Sequence, residues 1–305
     1  SSCTSALHLA LKVLDVKDDD EIIVPSYTFI ATVNSILYQR ARPVFAEING
    51  ENDLNLNFSQ LEKLLTEKTR GIIPVHLAGY ATDIDKIVDF ARQNGLFVVE
   101  DAAHAIGSTY RGKHLGTFGD IGCYSFFSNK NLVTGEGGMV ATDNEELFER
   151  IKLLRTHGLC KTSWDKTKGA SLSYDVFELG HNYRMTELNA ALGICQLAKL
   201  EKNNGIRREL TEQYKNNLSG RPYVTVPFLD NPTHSSCHVF PVILDRGLNR
   251  DDVIERLKQR MKENNPVFKQ ESRQLSIIPQ FINSHCMQTN LMFHYPKLKI
   301  LVEEK

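Results

Sequence analysis

Lys130 and Asp101 are the residues of this sequence whose types and surroundings point most directly to chemistry. Lys130 lies between an apolar, strand-like run and a turn that contains Gly135, Gly137 and Gly138. Glycines let the backbone pass close to a bound ring, and a buried lysine with a lowered pKa acts first as a nucleophile and then as a general base. Asp101 ends a second apolar run. A carboxylate and a nucleophilic amine are therefore expected at neighbouring strand ends.

Each of these two residues also has a simpler interpretation. A lone lysine is most often a surface residue, and an aspartate after a strand is most often the N-cap of the next helix. Taken together, Lys130 and Asp101 favour an enzyme that uses pyridoxal phosphate (PLP). Such enzymes pair a Schiff-base lysine with a carboxylate against the ring nitrogen, so that the ring takes up the electron pair released at the substrate carbon. These two residues are the predicted catalytic pair.

Further candidates for cofactor contacts stand near helix starts and strand ends. Thr4 and Ser5 open an apolar helical pattern, where hydroxyls, free amides and the helix dipole favour a phosphate, although plain N-capping is the common role. His104 would share a helical turn with Asp101 and hydrogen-bond the phenolic oxygen of the cofactor, with a core histidine as the alternative. Phe29 would stack on the ring, although its spacing alone predicts a core position.

The elements that must position these residues alternate between short β-branched runs and helical patterns. The predicted strands cover residues 21–24, 43–48, 71–75, 96–100, 121–126 and 138–142. The predicted helices cover residues 5–13, 30–39, 58–66, 84–93 and 145–157. Apolar strands of this kind are buried on both faces, and ligands bind beyond the carboxyl ends of such strands. The sequence therefore predicts an α/β fold, a three-layer large domain with a mostly parallel sheet.

The rest of the chain predicts a smaller α/β domain. Residues 186–218 form a helical pattern, either one long helix or two helices joined near Gly205. The elements predicted beyond it are two strands and a helix, over 223–227, 237–244 and 250–262. Residues 263–290 show no clear period. We therefore predict a large domain over residues 1–218 and a shortened small domain over residues 219–305.

The composition narrows the class of function. Lys and Arg number 36 against 37 Asp and Glu among 305 residues, so no broad positive field for nucleic acid is expected. No apolar stretch approaches the roughly 20 residues that cross a bilayer, and no leader opens the chain, so the cytoplasm is the expected location. The six cysteines are scattered and lack the close pairing of zinc ligands. A small-molecule ligand, reduced thiols and no metal site are expected.

Several segments together resemble the DegT/DnrJ/EryC1/StrS family of PLP-dependent sugar aminotransferases, which has the fold of type I PLP-dependent transferases. The segments that carry the resemblance are 2–11, 25–32, 74–79, 100–104, 123–140 and 180–191. The resemblance implies that Lys130 forms the internal aldimine, Asp101 holds the pyridinium and Phe29 stacks on the ring. The phosphate contacts that it implies within one subunit are Thr4, Ser5 and Ser125. Asn182 would reach the phosphate of a neighbouring subunit, which implies a homodimer with shared active sites. His104 stands where family members usually carry Gln.

The resemblance also implies a reaction. Relatives with histidine in place of the Schiff-base lysine are dehydratases, so Lys130 favours amino transfer. Segments 135–138 and 156–165 look most like enzymes that aminate C4 of a nucleotide-linked 4-keto-6-deoxyhexose, with L-glutamate as the donor in a ping-pong mechanism. Aminocyclitol and C3-keto-sugar aminotransferases are the alternatives. His294 and Tyr295 resemble the substrate segment of the small domain and are the implied substrate contacts.

A second class of function stays open. The chain begins inside a family motif, and residues 263–287 do not align with the family. A shortened chain of this kind would bind PLP, or pair with a full-length subunit, without turning over sugar. The presence of Lys130, Asp101 and Asn182 favours the active enzyme over this non-catalytic relative.

Overall fold

The computed structural model describes residues 1–159, 175–264, 290–292 and 299–303. The chain divides into two compact units. The first unit comprises Ser1–Arg208 and Asp230–His238, and the second comprises Glu209–Leu229 and Val239–Lys305. The predicted domain boundary after residue 218 stays a prediction.

A six-stranded sheet forms the centre of the first unit. The strands of this unit are β1 (Glu21–Pro25), β2 (Arg42–Ala46), β3 (Ile48–Gly50), β4 (Asp53–Leu56), β5 (Thr69–Ile72), β6 (Phe97–Asp101), β7 (Thr109–Tyr110), β8 (Lys113–His114), β9 (Ile121–Ser125) and β10 (Gly138–Ala141). The central sheet has the order β10-β9-β6-β5-β1-β2, and only β10 pairs with its neighbour in the antiparallel direction. The prediction of a mostly parallel sheet is confirmed. Residues 43–48, predicted as one strand, are divided between β2 and β3.

Helices flank this sheet, and one long helix follows it. The helices are α1 (Cys3–Val13), α2 (Ile30–Tyr38), α3 (Leu61–Leu64), α4 (Ile84–Gln93), α5 (Glu145–Leu154), α6 (Glu187–Leu218) and α7 (Arg250–Asn264). The predicted helix over 58–66 is instead a 3₁₀ turn, Phe58–Gln60, followed by the short α3. Gly205 does not interrupt α6, so the single-helix alternative is the correct one. None of the helices in the described part of the chain is long and apolar enough to cross a membrane.

The core lies on both faces of the central sheet. Ile22 in β1 packs in one buried cluster with Leu11 of α1, whereas the next residue, Ile23, packs in a second cluster with Ile84 of α4. Successive side chains of a strand point to opposite faces, so helices cover the sheet on both sides. Full burial of each such side chain stabilises the fold by about 1.5–3 kcal/mol. The predicted three layers are thus present.

The second unit contains a four-stranded sheet and α7. Its strands are β11 (Val224–Thr225), β12 (Pro241–Leu244), β13 (Asn290–Met292) and β14 (Lys299–Glu303), in the order β11-β12-β14-β13. The Asn249 side chain caps α7, because its Oδ1 accepts from the N–H groups of Asp251 and Asp252 at 2.9 and 3.2 Å. The strand predicted over 237–244 is shorter, because residues up to His238 pack in the first unit.

Candidate active site

Asp101 is held at the carboxyl end of β6 as a hydrogen-bond acceptor. Its side chain is buried, with 5% of the residue exposed. Thr32 Oγ1 donates to Oδ2 at 2.7 Å, and the Ala103 N–H donates to Oδ1 at 3.1 Å. Because Thr32 gives its only hydroxyl proton to Asp101, Thr28 Oγ1 must donate to Thr32 Oγ1 across 2.9 Å. Each carboxylate oxygen has capacity for a further donor.

The residues after Asp101 form turns rather than the predicted helix. The Ala105 N–H bonds the carbonyl of Ala102 at 2.9 Å, and no helix is assigned between β6 and β7. A carboxylate that bonds the N–H two residues ahead, as Asp101 does with Ala103, makes an Asx-turn. The predictions that Asp101 caps a helix and that it shares a helical turn with His104 are therefore wrong.

Lys130 lies in the turn that follows β9. Its own N–H bonds the carbonyl of Phe127 at 2.9 Å, which closes the turn. Burial lowers the pKa of the Lys130 ammonium to about 8, and the negative charge of Asp101, followed by Cys3, offsets part of that effect. At pH 7 a group with this pKa is a free amine in about one molecule in ten, far more often than an ordinary lysine. Lys130 is thus close enough to Asp101 for the carboxylate charge to affect its pKa, and its ammonium loses its proton more easily than that of an ordinary lysine.

The amino end of α1 lies beside Lys130 and Asp101. Burial raises the pKa of the Cys3 thiol; Asp101 raises it further, and Lys130 lowers it. Gly138 in β10 pairs with Ser125 in β9, and a Cβ at Gly138 would stand 2.3 Å from the carbonyl carbon of Ser2. Glycine is therefore required for α1 to approach the sheet so closely. Ser125, the start of α1 and Lys130 converge at one end of the sheet.

Ser2, rather than Thr4 or Ser5, caps α1. Its Oγ accepts from the Ser5 N–H at 3.1 Å and exchanges a hydrogen bond with Ser5 Oγ at 2.8 Å. The predicted helix start at Ser5 is therefore two residues late, because Cys3 is the first helical residue. The N–H groups of Cys3 and Thr4 have no hydrogen-bond partner within the described residues. Free amides at a helix start form a site for an anion such as phosphate when a second group supports it.

His104 is held by a backbone amide and a second histidine. The Ala78 N–H donates to His104 Nδ1 at 3.3 Å, so the neutral ring carries its proton on Nε2. Ser236 Oγ donates to the His104 carbonyl at 2.8 Å, and the ring centroids of His104 and His238 are 4.5 Å apart. The ring is fixed in one orientation and tautomer.

Phe29 and Asn182 are both exposed. Phe29 precedes the first residue of α2 and is 67% exposed, so the core position predicted from its spacing is wrong. The backbone of Asn182 pairs with Thr156 in an isolated bridge, and its side chain points to solvent. A contact between Asn182 and the site of a neighbouring subunit stays a prediction, as do the cofactor roles of the other residues.

The chain matches the model of the DegT/DnrJ/EryC1/StrS aminotransferase family over residues 1–289. That range includes residues 263–287, so the expectation that they do not align with the family is wrong. The chain belongs to this family. The predicted family and enzyme class are thereby confirmed.

Two relatives illustrate the degree of similarity. An uncharacterized protein of Methanocaldococcus jannaschii is 43% identical over 263 residues, which are 85% of this chain and 68% of that protein. The spore coat polysaccharide biosynthesis protein SpsC of Bacillus subtilis is 39% identical over 262 residues, 85% of this chain and 67% of SpsC. The chain therefore spans about two thirds of the length of these relatives.

Solved structures show the same fold. DesV of S. venezuelae, in complex with a ketimine intermediate, is 36% identical with a TM-score of 0.77, over 85% of this chain and 66% of DesV. The PLP-form of Spr1654 from Streptococcus pneumoniae is 29% identical with a TM-score of 0.75, over 86% and 69%. A mutant of GDP-4-keto-6-deoxymannose-3-dehydratase (ColD) with bound GDP-perosamine is 28% identical with a TM-score of 0.76, over 85% and 70%. The predicted α/β transferase fold is confirmed.

Some predicted residues of the DegT/DnrJ/EryC1/StrS site lie outside the described residues. These are His294, Tyr295 and residues 160–165 of segment 156–165. In the part of the chain that the structure describes, no three His, Cys, Asp or Glu side chains are grouped to hold a metal ion.

The sequence analysis missed three residues near this family's site. Thr32 bonds Asp101, Cys3 lies close enough to Lys130 to influence its pKa, and Asn131 is buried directly after Lys130. Thr32 stands in the segment 25–32, which carried part of the resemblance without a role for this threonine. Its spacing of three residues from Phe29 was the available signal, since the first turn of a helix brings such positions to one side.

Proposed function

We propose that this chain is a PLP-dependent aminotransferase that moves an amino group from L-glutamate to a nucleotide-linked keto-sugar. The observation that carries the proposal is Lys130, with a pKa lowered by burial to about 8, close to Asp101, a buried carboxylate that can accept further hydrogen bonds. The relatives support it: Spr1654 has a PLP-form, SpsC is named for spore coat polysaccharide biosynthesis, and the ColD mutant holds GDP-perosamine.

The described residues fit PLP. Asp101 has acceptor capacity for a protonated ring nitrogen, and the amino end of α1, with Ser125 nearby, offers amides and a hydroxyl for the phosphate. Phe29 has an exposed ring that is available for stacking, and the neutral His104 fits the phenolic oxygen. PLP, when bound, supplies a ring that takes up the electron pair released at the substrate carbon.

Lys130 and Asp101 divide the proton chemistry. Lys130 would hold the cofactor through Nζ and would take up and release a proton at that atom, since an amine with a pKa of about 8 loses and regains its proton near neutral pH. Asp101 would accept a hydrogen bond from the protonated ring nitrogen and so keep the proton there. The hydroxyl of Thr32 holds the Asp101 carboxylate in its orientation by donating to Oδ2 at 2.7 Å.

A homodimer is part of the proposal. Five large apolar side chains in α6 and in the segment before it are at least 60% exposed. These are Phe177, Leu179, Leu188, Ile194 and Leu197. Apolar surface of this extent is typical of a protein–protein interface. Asn182 lies within the same stretch of chain and is exposed, as a residue that reaches into a neighbouring subunit must be. We propose the cytoplasm as the location of this dimer.

The proposed substrate is a nucleotide-linked 4-keto-6-deoxyhexose, which receives the amino group at C4. The experiment incubates the full chain and PLP with ¹⁵N-labelled L-glutamate and a panel of nucleotide-linked 4-keto and 3-keto sugars. Mass spectrometry should find ¹⁵N in the product of a 4-keto sugar. Lys130→Ala should give none, whereas Lys152→Ala, which changes an exposed lysine of α5, should act like the wild type. Transfer to 3-keto sugars alone would overturn the C4 assignment, and no transfer to any sugar would favour the non-catalytic relative.

A further inference from the structure

Asn131, the residue that follows Lys130, is a buried anchor. It is 7% exposed, and its side-chain amide makes three hydrogen bonds of 2.8 Å. Nδ2 donates to Asn204 Oδ1 and to the carbonyl of Ser236, and Oδ1 faces His238 Nδ1. All the side-chain N–H groups of Asn131 and its carbonyl oxygen are therefore used. Such complete pairing holds the backbone at this position firmly.

Backbone carbonyls determine which way these polar groups point. The carbonyl of Ser236 only accepts, so the nitrogen of the Asn131 amide must face it. Asn204 Nδ2 likewise faces the carbonyl of Ile106 at 3.2 Å, which leaves Asn204 Oδ1 for Asn131. Asn131 Oδ1 then faces His238, so His238 Nδ1 carries a proton and donates. Each bond in the chain has one consistent direction.

The same cluster also holds the histidine expected at the cofactor. His238 packs its ring against His104, and Ser236 Oγ bonds the carbonyl of His104. Ser236 and His238 both belong to the segment Asp230–His238, which packs in the first unit although it follows α6 in the sequence. Asn131 therefore links the turn of Lys130 to the segment that orients His104.

We propose that Asn131 is a positioning residue that keeps the Lys130 amine directed into the active site by tying its turn to Asn204, Ser236 and His238. The inference rests on the proposed function, in which Lys130 is the Schiff-base lysine. On the other side of Lys130, residues 127–129 are exposed and offer no comparable anchor. Without the Asn131 amide the turn relaxes toward water, and the amine becomes hydrated and misplaced.

The test compares Asn131→Ala and Asn204→Ala with the wild type in the full chain. Thr69→Val is the matched control, because Thr69 is 6% exposed and its Oγ1 accepts a 2.9 Å hydrogen bond from the Thr66 N–H at the amino end of β5. The first measurement needs no cofactor: the pH dependence of Lys130 labelling by trinitrobenzenesulfonate, read by peptide mass spectrometry. The second is the rate of the half-reaction of the PLP-loaded protein with L-glutamate.

Loss of the Asn131 amide should raise the labelling midpoint of Lys130 by about one pH unit, because a better hydrated amine moves part of the way from a pKa of about 8 back to its ordinary value. The half-reaction should slow by about 10- to 100-fold, as expected for a misplaced reacting group. Asn204→Ala removes only one of the bonds and should change both quantities in the same direction, by less. If Asn131→Ala fails to fold, Asn204→Ala still tests the inference.

Some results would overturn the inference. If the Asn131 and Asn204 variants label and react like Thr69→Val, Asn131 contributes only to stability. The proposed function fails separately, if Lys130→Ala still reacts with L-glutamate. An inactive Lys130→Ala together with unchanged Asn131 and Asn204 variants would remove this inference alone.

Discussion

Two neighbouring carboxylates, Glu100 and Asp101, have opposite environments at the end of β6. Glu100 is fully buried and accepts from His76 Nε2 at 2.8 Å. Three backbone N–H groups also donate to it at 2.6–2.8 Å, those of Gly116, Phe118 and Gly119. Within the described residues Asp101 accepts from two donors, the hydroxyl of Thr32 and the N–H of Ala103. The first carboxylate has its acceptor sites filled, and the second does not.

The difference separates a structural carboxylate from one that can bind a ligand. Adjacent residues of a strand point to opposite faces, so one short segment supplies both. Burial raises the pKa of Glu100, but the hydrogen bonds from His76 and the amides of Gly116 and Gly119 outweigh burial and lower it. Glu100 thus organises the loop of residues 116–119, and Asp101 retains acceptor capacity that the proposed cofactor would use.

Among the variants at the site that contains Asp101, Lys130→Ala should have the largest effect on amino transfer. Amino transfer should fall by about 10³-fold or more, because the nucleophile and the proton carrier are both removed. The rate of conversion of L-glutamate to 2-oxoglutarate by the PLP-loaded variant measures it. Residual transfer within tenfold of the wild type would remove Lys130 from the mechanism.

Glu100→Gln should destabilise the fold and leave the chemistry of the site unchanged. A glutamine places N–H groups against amide donors, which costs about 2–4 kcal/mol of unfolding free energy. Urea unfolding at pH 7 measures this cost. Because the pKa of Glu100 is lowered in the fold, its stabilisation is present above the ordinary carboxyl pKa and is lost as the pH falls through the lowered value. The difference between wild type and variant should therefore shrink in acid; a constant difference would contradict the assignment.

Asp101→Asn should show the reverse pattern. The amide retains the size of the side chain but cannot keep the ring nitrogen protonated, so turnover should fall by about 100-fold. Its unfolding free energy should change by less than that of Glu100→Gln, since two hydrogen bonds rather than four are disturbed. Steady-state rates and urea unfolding of the two variants, measured side by side, decide the comparison. Equal losses of stability would contradict it.

The lowered pKa of Lys130 makes a prediction about stability and pH. Between pH 8 and 10.5 the unfolded chain binds the lysine proton more tightly than the folded chain, so stability should rise with pH through this window. The rise should amount to about 2–3 kcal/mol. Lys130→Met should lack the rise and be the more stable protein at pH 7. Parallel urea titrations at pH 7 and 10 test this, and an identical pH dependence in both proteins would contradict a Lys130 pKa that is lowered in the fold.

Thr32→Val should have the smallest effect. It removes one donor to Asp101 and keeps the shape of the side chain, so turnover should fall by about three- to tenfold. Steady-state rates measure this effect, which arises because the Asp101 carboxylate is less firmly oriented. Thr66→Val, which removes a hydroxyl bonded to Glu21 at the other end of the sheet, is the control and should leave turnover unchanged.

Local sequence patterns predicted the strands that lead to the site and the long helix that follows it. The strands ending near Asp101 and before Lys130, and the helix over 186–218, follow from apolar periods that the structure retains. For Phe29 the core position that spacing alone predicts is wrong, because apolar spacing does not distinguish a core ring from an exposed one. The contacts of Asn131 join residues separated by 73 to 107 positions, and no local period reports them.

The most direct test of the central claim is to locate the cofactor on the chain. The chain is incubated with PLP, reduced with borohydride, digested and analysed by peptide mass spectrometry. A single pyridoxyl group is expected on the peptide that contains Lys130, and it should be lost in Lys130→Ala but not in Lys152→Ala. A pyridoxyl group on another lysine, or on none, would contradict it.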